Sequence, residues 1–328
     1  MSLLRVTLLV PVFLSIACKN EQRFVEVEGE DIWHQSENNE VDILWVIDNT
    51  NSMTEEQSIL SGGFDKFIAE IESTGTDFHL GVITTSFETG DTERGKLLGD
   101  PPVITSDDDY MNLFANRVQV GFEGSNKEKG LEAAVYALSP VMTTGYNTGF
   151  LRPEAELLVV IVSDEDDCSD NGALDGEHQR LCYTERDRLT PVSAFVSDLR
   201  ELKSSADMAR FSAIVGPAEY GQCDDTWPGT RYLEAVALTD GQKGDICLPD
   251  WTDMLFELGL DAAGIRTSFL LTHPALPGSL EVWVDNDPVS EDAENGWTYD
   301  LETTSLLFHG PAIPERGSRI RCTYDIMF

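Results

Sequence analysis

The sequence is poor in basic residues and lacks the motifs of several common enzyme classes. Its 328 residues contain 22 Lys and Arg against 59 Asp and Glu, a formal net charge of -37 at pH 7. Because such a field repels phosphate-rich polymers, nucleic-acid binding is excluded early. There is no P-loop, no G-x-S-x-G turn and no H-E-x-x-H pair. An aspartate-nucleophile phosphatase is not indicated either, because Thr50 stands where its acid–base aspartate would be. We therefore do not expect an enzyme.

Cysteine and histidine patterns typical of zinc sites are also missing. The five histidines are scattered singly, and no two cysteines have C-x-x-C spacing. The cysteines instead indicate an oxidising compartment. We predict two disulfides, each worth about 3 kcal/mol in the chain-entropy model, although spacing alone leaves other pairings open: Cys168–Cys182 and Cys223–Cys247. Cys322 is left over, either buried and reduced or paired differently.

Residues 1–17 have the layout of a signal peptide, with Arg5 before an apolar run and small residues. The four residues ending at Cys18 resemble a bacterial lipobox, which predicts lipidation of this cysteine. The alternative is secretion with an incidental cysteine. The polar, acidic residues 18–39 are predicted to form a tether. We expect an exported protein that meets the membrane only through its lipid. In a Gram-negative cell we expect the outer membrane, because lysine, not the inner-membrane aspartate signal, follows the cysteine.

Strands and helices alternate over residues 40–264, beginning with the continuous β-favouring run at 41–47. This alternation predicts an α/β domain with a doubly wound, mostly parallel sheet covered on both faces. From residue 265 onward, apolar and polar residues alternate with period two, and no helical pattern remains. We predict that residues 265–328 form a small β appendage packed against the α/β domain.

Three oxygen-bearing side chains, Asp48, Thr50 and Ser52, follow the first predicted strand of this domain. In open α/β sheets, ligands bind at the carboxyl ends of the strands. The segment resembles the D-x-S-x-S motif of von Willebrand factor A (VWA) domains, with threonine as the middle residue. Asp164 follows a second apolar strand, predicted at residues 157–162, and matches the family's second aspartate. The resemblance covers about residues 40–263.

The resemblance implies a Rossmann-like VWA fold with a divalent cation at its adhesion site. Mg²⁺ is the first expectation, and Mn²⁺ or Ca²⁺ are alternatives. The implied ligands are Asp48, Thr50, Ser52 and Asp164, and an acidic side chain of a protein partner would complete the coordination. The implied function is surface adhesion or protein binding. The second hypothesis is a metal-independent scaffold of the cell envelope with a degenerate site.

One residue departs from the family pattern, because Lys127 falls where the family has a threonine ligand. An ammonium group cannot ligate a cation. Three outcomes are open: a neighbour replaces the threonine, the site binds weakly, or Lys127 pairs with Asp48 and Asp164 in place of a metal. The candidate replacements are Ser125, Asn126 and Glu128. A further reading without a metal has Asp48, Thr50 and Ser52 capping the first helix.

An acidic loop follows Asp164 within the first predicted disulfide. Its carboxylates could hold Ca²⁺, which takes six to eight oxygens, but the EF-hand spacing is absent. We favour a solvated, mutually repelling loop. The residues concerned are Glu165, Asp166, Asp167 and Asp170.

Overall fold

The computed structural model describes residues 27–219, 221, 223 and 226–327. The predicted signal peptide, the lipidation residue Cys18 and the first part of the predicted tether lie outside these residues. The described residues form three sheets, with these strands: β1 (Glu28–His34), β2 (Glu40–Ile47), β3 (Asp77–Thr84), β4 (Glu156–Ser163), β5 (Ala209–Val215), β6 (Lys243–Asp245), β7 (Ser268–Leu270), β8 (Glu281–Val284), β9 (Asp287–Val289), β10 (Trp297–Asp300), β11 (Ser305–Phe308) and β12 (Arg319–Asp325).

The helices of the described residues lie between β2 and β7 in the chain. They are α1 (Thr54–Ser73), α2 (Tyr110–Arg117), α3 (Gly130–Ala137), α4 (Pro140–Thr143), α5 (Leu181–Thr184), α6 (Val192–Arg200), α7 (Thr230–Thr239) and α8 (Thr252–Ala262). A 3₁₀ turn at Asn51–Met53 precedes α1. In the part of the chain that is described, no helix has the length and apolarity needed to cross a bilayer.

A parallel sheet of five strands, in the order β3-β2-β4-β5-β6, forms the centre of the larger unit. Successive side chains of a strand point to opposite faces. Accordingly, Trp45 packs in the core that α1, α2 and α8 share, whereas Val46 packs in the core beneath α3, α6 and α7. Helices thus cover both faces of the sheet, and β2 is buried along nearly all of its length, as its apolar run predicts.

The other seven strands form two antiparallel sheets, in the orders β1-β12-β8-β9 and β10-β11-β7. Their side chains share a third core, which contains Phe269, Trp297, Leu306 and Ile320. The predicted fold class, a doubly wound mostly parallel sheet with a small C-terminal β appendage, is therefore wrong for this chain. The fold is mixed, because most of the described strands belong to antiparallel sheets and one of those strands precedes the parallel sheet.

The strand β1 lies within the segment that we predicted to be a tether. It pairs with β12 along its whole length, from Glu28 opposite Asp325 to His34 opposite Arg319. Its sequence is polar, and every second residue is exposed. The backbone ladder and the packing of Trp33 against the third core hold it in place. The tether prediction is thus wrong for residues 28–34, because composition alone does not report a ladder formed with a distant strand.

Two disulfides confirm the predicted pairing. Cys168 and Cys182 have Cα atoms 5.2 Å apart, and those of Cys223 and Cys247 are 5.6 Å apart. Such bonds are typical of proteins that fold outside the reducing cytosol. Cys322 is free and buried in the third core, where burial raises the pKa of its thiol to about 12.

Candidate cation-binding site

Asp48 and Asp164 follow β2 and β4, which are neighbouring parallel strands. The backbone N–H of Asp48 donates to the Val162 carbonyl at 2.9 Å, which extends the ladder to the carboxyl end of the sheet. Both carboxyl groups are buried, and the charge of Asp48 raises the pKa of Asp164, as expected of neighbouring carboxylates. The structure therefore brings the two predicted aspartates to one edge of the sheet, beside each other.

The hydroxyl groups of the motif join the same cluster. Oδ1 of Asp48 accepts from the Thr50 N–H at 2.8 Å and from Thr50 Oγ1 at 2.7 Å. Thr50 Oγ1 lies 3.3 Å from Ser52 Oγ, and the Ser52 hydroxyl lies near Asp164, whose pKa it lowers. Ser163 Oγ donates to Oδ2 of Asp48 at 2.7 Å. Sequence reasoning missed Ser163, the residue just before Asp164, which here orients the Asp48 carboxylate.

The helix-capping interpretation of the motif is wrong. The residues that flank the starts of the 3₁₀ turn and of α1 are Thr50 and Met53, and neither makes a side-chain cap hydrogen bond. Thr50 instead uses its hydroxyl on Asp48. The motif side chains are therefore directed at one another and at Asp164, not at the free N–H groups of the helix.

In the segment before α3, successive side chains point to opposite sides. Lys127 Nζ donates to the Leu174 carbonyl at 2.8 Å and forms an ion pair with Glu88. Two residues later, Lys129 Nζ is 2.6 Å from Asp170 Oδ1. Both lysines thus face the loop after Asp164 and away from the motif. The hypothesis that Lys127 pairs with Asp48 and Asp164 is wrong.

Glu128, between the two lysines, faces the cluster. Its backbone bridges to Ser86, and its side chain is only 1% exposed. Neither of its carboxylate oxygens has a hydrogen-bond partner. Burial, and next the charges of Asp48, Glu165 and Asp164, raise its pKa well above the usual range. A buried carboxylate without partners is costly, so Glu128 marks the point where the cluster lacks positive charge.

The other two candidate replacements for the threonine play different parts. Ser125 supports the loop: its N–H donates to Ser86 Oγ at 2.9 Å, and its own hydroxyl accepts from the Lys127 N–H at 3.1 Å. Asn126 is exposed. Of the three residues, only Glu128 faces Asp48 and Asp164.

Two further carboxylates surround the pair. Glu165 accepts hydrogen bonds from Gln179 at 2.5 Å and from Tyr183 at 3.3 Å, and burial and the Asp48 charge raise its pKa to about 7. Glu56, in the first turn of α1, has one buried oxygen without a partner, and its pKa is raised by burial. Sequence reasoning missed Glu56, although its place one turn after the motif could have indicated it.

The acidic loop is not the solvated loop that we predicted. Its three aspartates are buried, and each has basic or N–H partners. Asp166 accepts from Arg186, Thr230 and Arg231; Asp167 accepts from Arg231, Ser169 and Leu131; Asp170 accepts from Lys129, Gly172 and Leu174. These contacts occupy the oxygens that a Ca²⁺ ion would need, so the loop is a folded support. Glu165 alone of the predicted loop carboxylates belongs to the cluster around Asp48.

The cluster fits a cation by the chemistry of its groups more than by their present spacing. Asp164 is 3% exposed, and its Oδ1 has no hydrogen-bond partner. Burial, the Asp48 charge and the charges of Glu165 and Glu56 raise its pKa to about 7. Within the described ranges, however, no three His, Cys, Asp or Glu side chains converge at the spacing of metal ligands. A cation bound here would therefore require these oxygens to move closer together.

No family model matches the chain, and no curated protein matches it in sequence. Among solved structures, the pilus adhesin SpaC from Lactobacillus rhamnosus GG in its open conformation is 12% identical, with a TM-score of 0.43 over 89% of this chain and 40% of that one. A second structure of this adhesin is 11% identical, with a TM-score of 0.42 and the same coverage. Proximal thread matrix protein 1 from the mussel byssus is 10% identical, with a TM-score of 0.42 over 74% of this chain and 52% of its own. The chain thus spans about half or less of these proteins, and similarity at this level assigns no function.

Proposed function

We propose that this chain is an exported binding protein whose larger unit works like a VWA domain. It holds a divalent cation between Asp48, Thr50, Ser52 and Asp164 and binds a protein partner through that ion. The observation that carries the proposal is the placement of two buried carboxyl groups at the ends of neighbouring parallel strands, with two hydroxyl groups beside them. The proposal includes attachment to the membrane through a lipid on Cys18.

The electrostatics favour a cation at this place. The charges that act most on Asp164 are those of Asp48, Glu165 and Glu56, all of them negative when ionised. Two carboxylates this close cannot both ionise without a compensating charge. A bound cation supplies that charge and is then often the largest local charge in the site. The ionised pair is therefore the cation-bound form.

The chain's own residues prepare the site for this role. Ser163 and Thr50 fix the rotation of the Asp48 carboxylate through hydrogen bonds of 2.7 Å. Gln57 Nε2 donates to the Asp48 carbonyl at 3.0 Å and ties α1 to the end of β2. Hydrogen bonds that orient a metal ligand in this way normally preserve metal affinity. Ser52 is exposed, so one side of the site is open to solvent and to an oxygen from a partner, such as the carboxylate of an acidic side chain.

Thermal unfolding of the mature chain in chelator, and then with Mg²⁺, Mn²⁺ or Ca²⁺, tests this function. At an ion concentration about 100 times the dissociation constant, binding to the folded state adds about 2.7 kcal/mol, a rise of several degrees in melting temperature. Asp48→Asn should abolish the rise. Asp65→Asn is the matched control, because Asp65 is an exposed aspartate of α1 that contacts Lys66.

A melting temperature that responds to none of the three ions would contradict the proposal. The chain would then be better described as a metal-independent scaffold of the envelope. If an ion binds, the partner is sought by comparing surface binding with and without chelator.

A further inference from the structure

The feature that the four predicted ligands leave unexplained is Glu128. It lies in the segment before α3, held by the Ser86 bridge and by the Cys168 N–H, which donates to the Glu128 carbonyl at 2.5 Å. Its neighbours Lys127 and Lys129 are both buried and paired on the opposite side of the segment. The side chain of Glu128 cannot join them without reversing this alternation. It is therefore fixed towards Asp48 and Asp164.

The loop that carries Glu128 is braced against the motif. Gly124 N–H donates to the Asn49 carbonyl at 2.8 Å, and Ser86 Oγ donates to Asn49 Oδ1 at 2.8 Å. A Cβ atom on Gly124 would lie 2.2 Å from Asn49 Oδ1, so the two segments are as close as backbone packing permits. Thr85, whose N–H donates to the Ile47 carbonyl at 3.1 Å, lies beside the Glu128 carboxylate. Glu128 is thus held at a fixed depth beside the end of β2.

We infer that Glu128 is a direct third carboxylate ligand of the proposed cation and that it makes the site prefer Ca²⁺ to Mg²⁺. This inference rests on the proposed function. Glu128 stands in for the hydroxyl ligand that Lys127 cannot supply, from the adjacent position in the chain. Both of its oxygens are buried and without partners, so both are available to one ion.

The number of oxygens decides the preference. Mg²⁺ demands an octahedron at about 2.0–2.1 Å, keeps several waters and is usually bound by one or two carboxylates. Ca²⁺ takes about six to eight oxygens at about 2.3–2.6 Å and accepts a bidentate carboxylate. Three carboxylates and two hydroxyls on one ion supply at least five protein oxygens, and more if Glu128 binds through both. This set suits the larger ion, and its longer bonds require less movement of the side chains.

Calorimetric titration of the chelator-treated mature chain with Ca²⁺ and with Mg²⁺ tests the preference. We expect Ca²⁺ to bind the wild type at least tenfold more tightly. Loss of a group that merely supports a ligand costs about 10- to 100-fold in metal affinity, so Glu128→Gln should cost roughly 100-fold for Ca²⁺ and much less for Mg²⁺. Glu123→Gln is the matched control, because Glu123 is exposed in the same loop and the substitution changes the net charge equally.

A second measurement separates direct ligation from an effect of charge at a distance. Tb³⁺, used in place of Ca²⁺, reports its bound waters through its luminescence lifetime in H₂O and D₂O. Its emission should be sensitised by the ring pair of Tyr183 and Trp227, whose centroids are 4.9 Å apart and whose tyrosine contacts Glu165. A directly ligating Glu128 predicts additional bound water in Glu128→Gln and none in Glu123→Gln.

The possible failures are distinct. If Glu128→Gln binds Ca²⁺ as the wild type does, or gains no water on Tb³⁺, while Asp48→Asn loses the ion, the role of Glu128 is refuted and the proposed function stands. If the wild type binds Mg²⁺ as tightly as Ca²⁺, the preference is refuted. If no ion binds the wild type, the proposed function itself fails. Glu128→Gln keeps the size and shape of the buried side chain, so it should fold; its unfolding transition in chelator verifies this.

Discussion

Replacing Asp164 by asparagine should stabilise the cation-free protein at alkaline pH and destabilise the cation-loaded one. The pKa of Asp164 rises from 3.8 to about 7 on folding, because of burial first and then the charge of Asp48. The folded state therefore holds this proton where the unfolded chain has released it. A raised carboxyl pKa means that stability falls as pH rises from about 4 to about 7 and is constant above that range. Asparagine cannot titrate and escapes this loss.

The size of the effect follows from the pH interval between the unfolded and folded pKa values of Asp164. A tenfold change in proton affinity is worth about 1.4 kcal/mol, so titration between pH 5 and pH 7 lowers the free energy of unfolding by up to about 3 kcal/mol. Burial raises the pKa of the neighbouring Asp48 as well, which spreads the loss over the pair. For a domain of this size each kcal/mol moves the melting temperature by about 2–4 °C. Asp164→Asn should therefore melt about 5 °C or more above the wild type at pH 8 in chelator, with a smaller difference at pH 5.

The assay is differential scanning calorimetry of the two proteins at pH 5, 6, 7 and 8, in chelator and in millimolar Ca²⁺. Comparing variant with wild type at each pH removes the general effect of a net charge of -37. In Ca²⁺ the order should reverse at pH 8, because only the wild type gains binding energy. A variant less stable than the wild type at pH 8 in chelator, or a difference that does not change with pH, would refute this reasoning.

Three further outcomes follow from particular contacts. Lys127→Met should change cation affinity by less than about twofold, because the Lys127 ammonium group pairs with Glu88 away from the site. A tenfold change in the affinity measured by calorimetry would show that the lysine does act on the site. Gly124→Ala should lower the free energy of unfolding by about 1–3 kcal/mol in urea and also weaken cation binding, whereas Gly62→Ala, in open space on α1, should raise stability by about 0.5–1 kcal/mol. Cys322 should resist a thiol reagent in the native protein and react once urea unfolds it; rapid native labelling would contradict its burial.

The parallel sheet was predictable from the sequence because each of its long strands is buried on both faces and therefore reads as an unbroken apolar run. Such a run at residues 41–47 leaves little choice of structure, and β2 extends it by one residue. The antiparallel sheets give weaker signals, since half of each strand faces solvent. Glu28–His34 has no apolar alternation at all, and its partner β12 lies almost 300 residues away, so its ladder could not be inferred from local pattern.

The site was predictable in part for a related reason. Asp48 and Asp164 end two central strands, and the parallel topology alone brings such ends together at one edge. The contribution of Glu56 and Glu165 depends on how α1 and the disulfide-linked loop pack over that edge. The buried partners of Asp166 and Asp167 come from Arg186, near α5, and Arg231, in α7, which are distant in sequence. The run of acidic residues was therefore predicted to be solvated, although its charges are paired inside the fold.

The mistake about Lys127 has a stereochemical cause. In an extended segment, neighbouring side chains point to opposite sides, so a shift of one residue moves a side chain from one environment to the other. Matching the family's threonine to Lys127 placed an ammonium group in the site, whereas the bridge between Ser86 and Glu128 sets the opposite phase. The two lysines then neutralise Glu88 and Asp170, and the glutamate between them faces two aspartates. The ammonium groups therefore lie behind the segment, and the glutamate in front is buried without a hydrogen-bond partner of its own. Under the proposed function, a cation that enters from solvent compensates this charge.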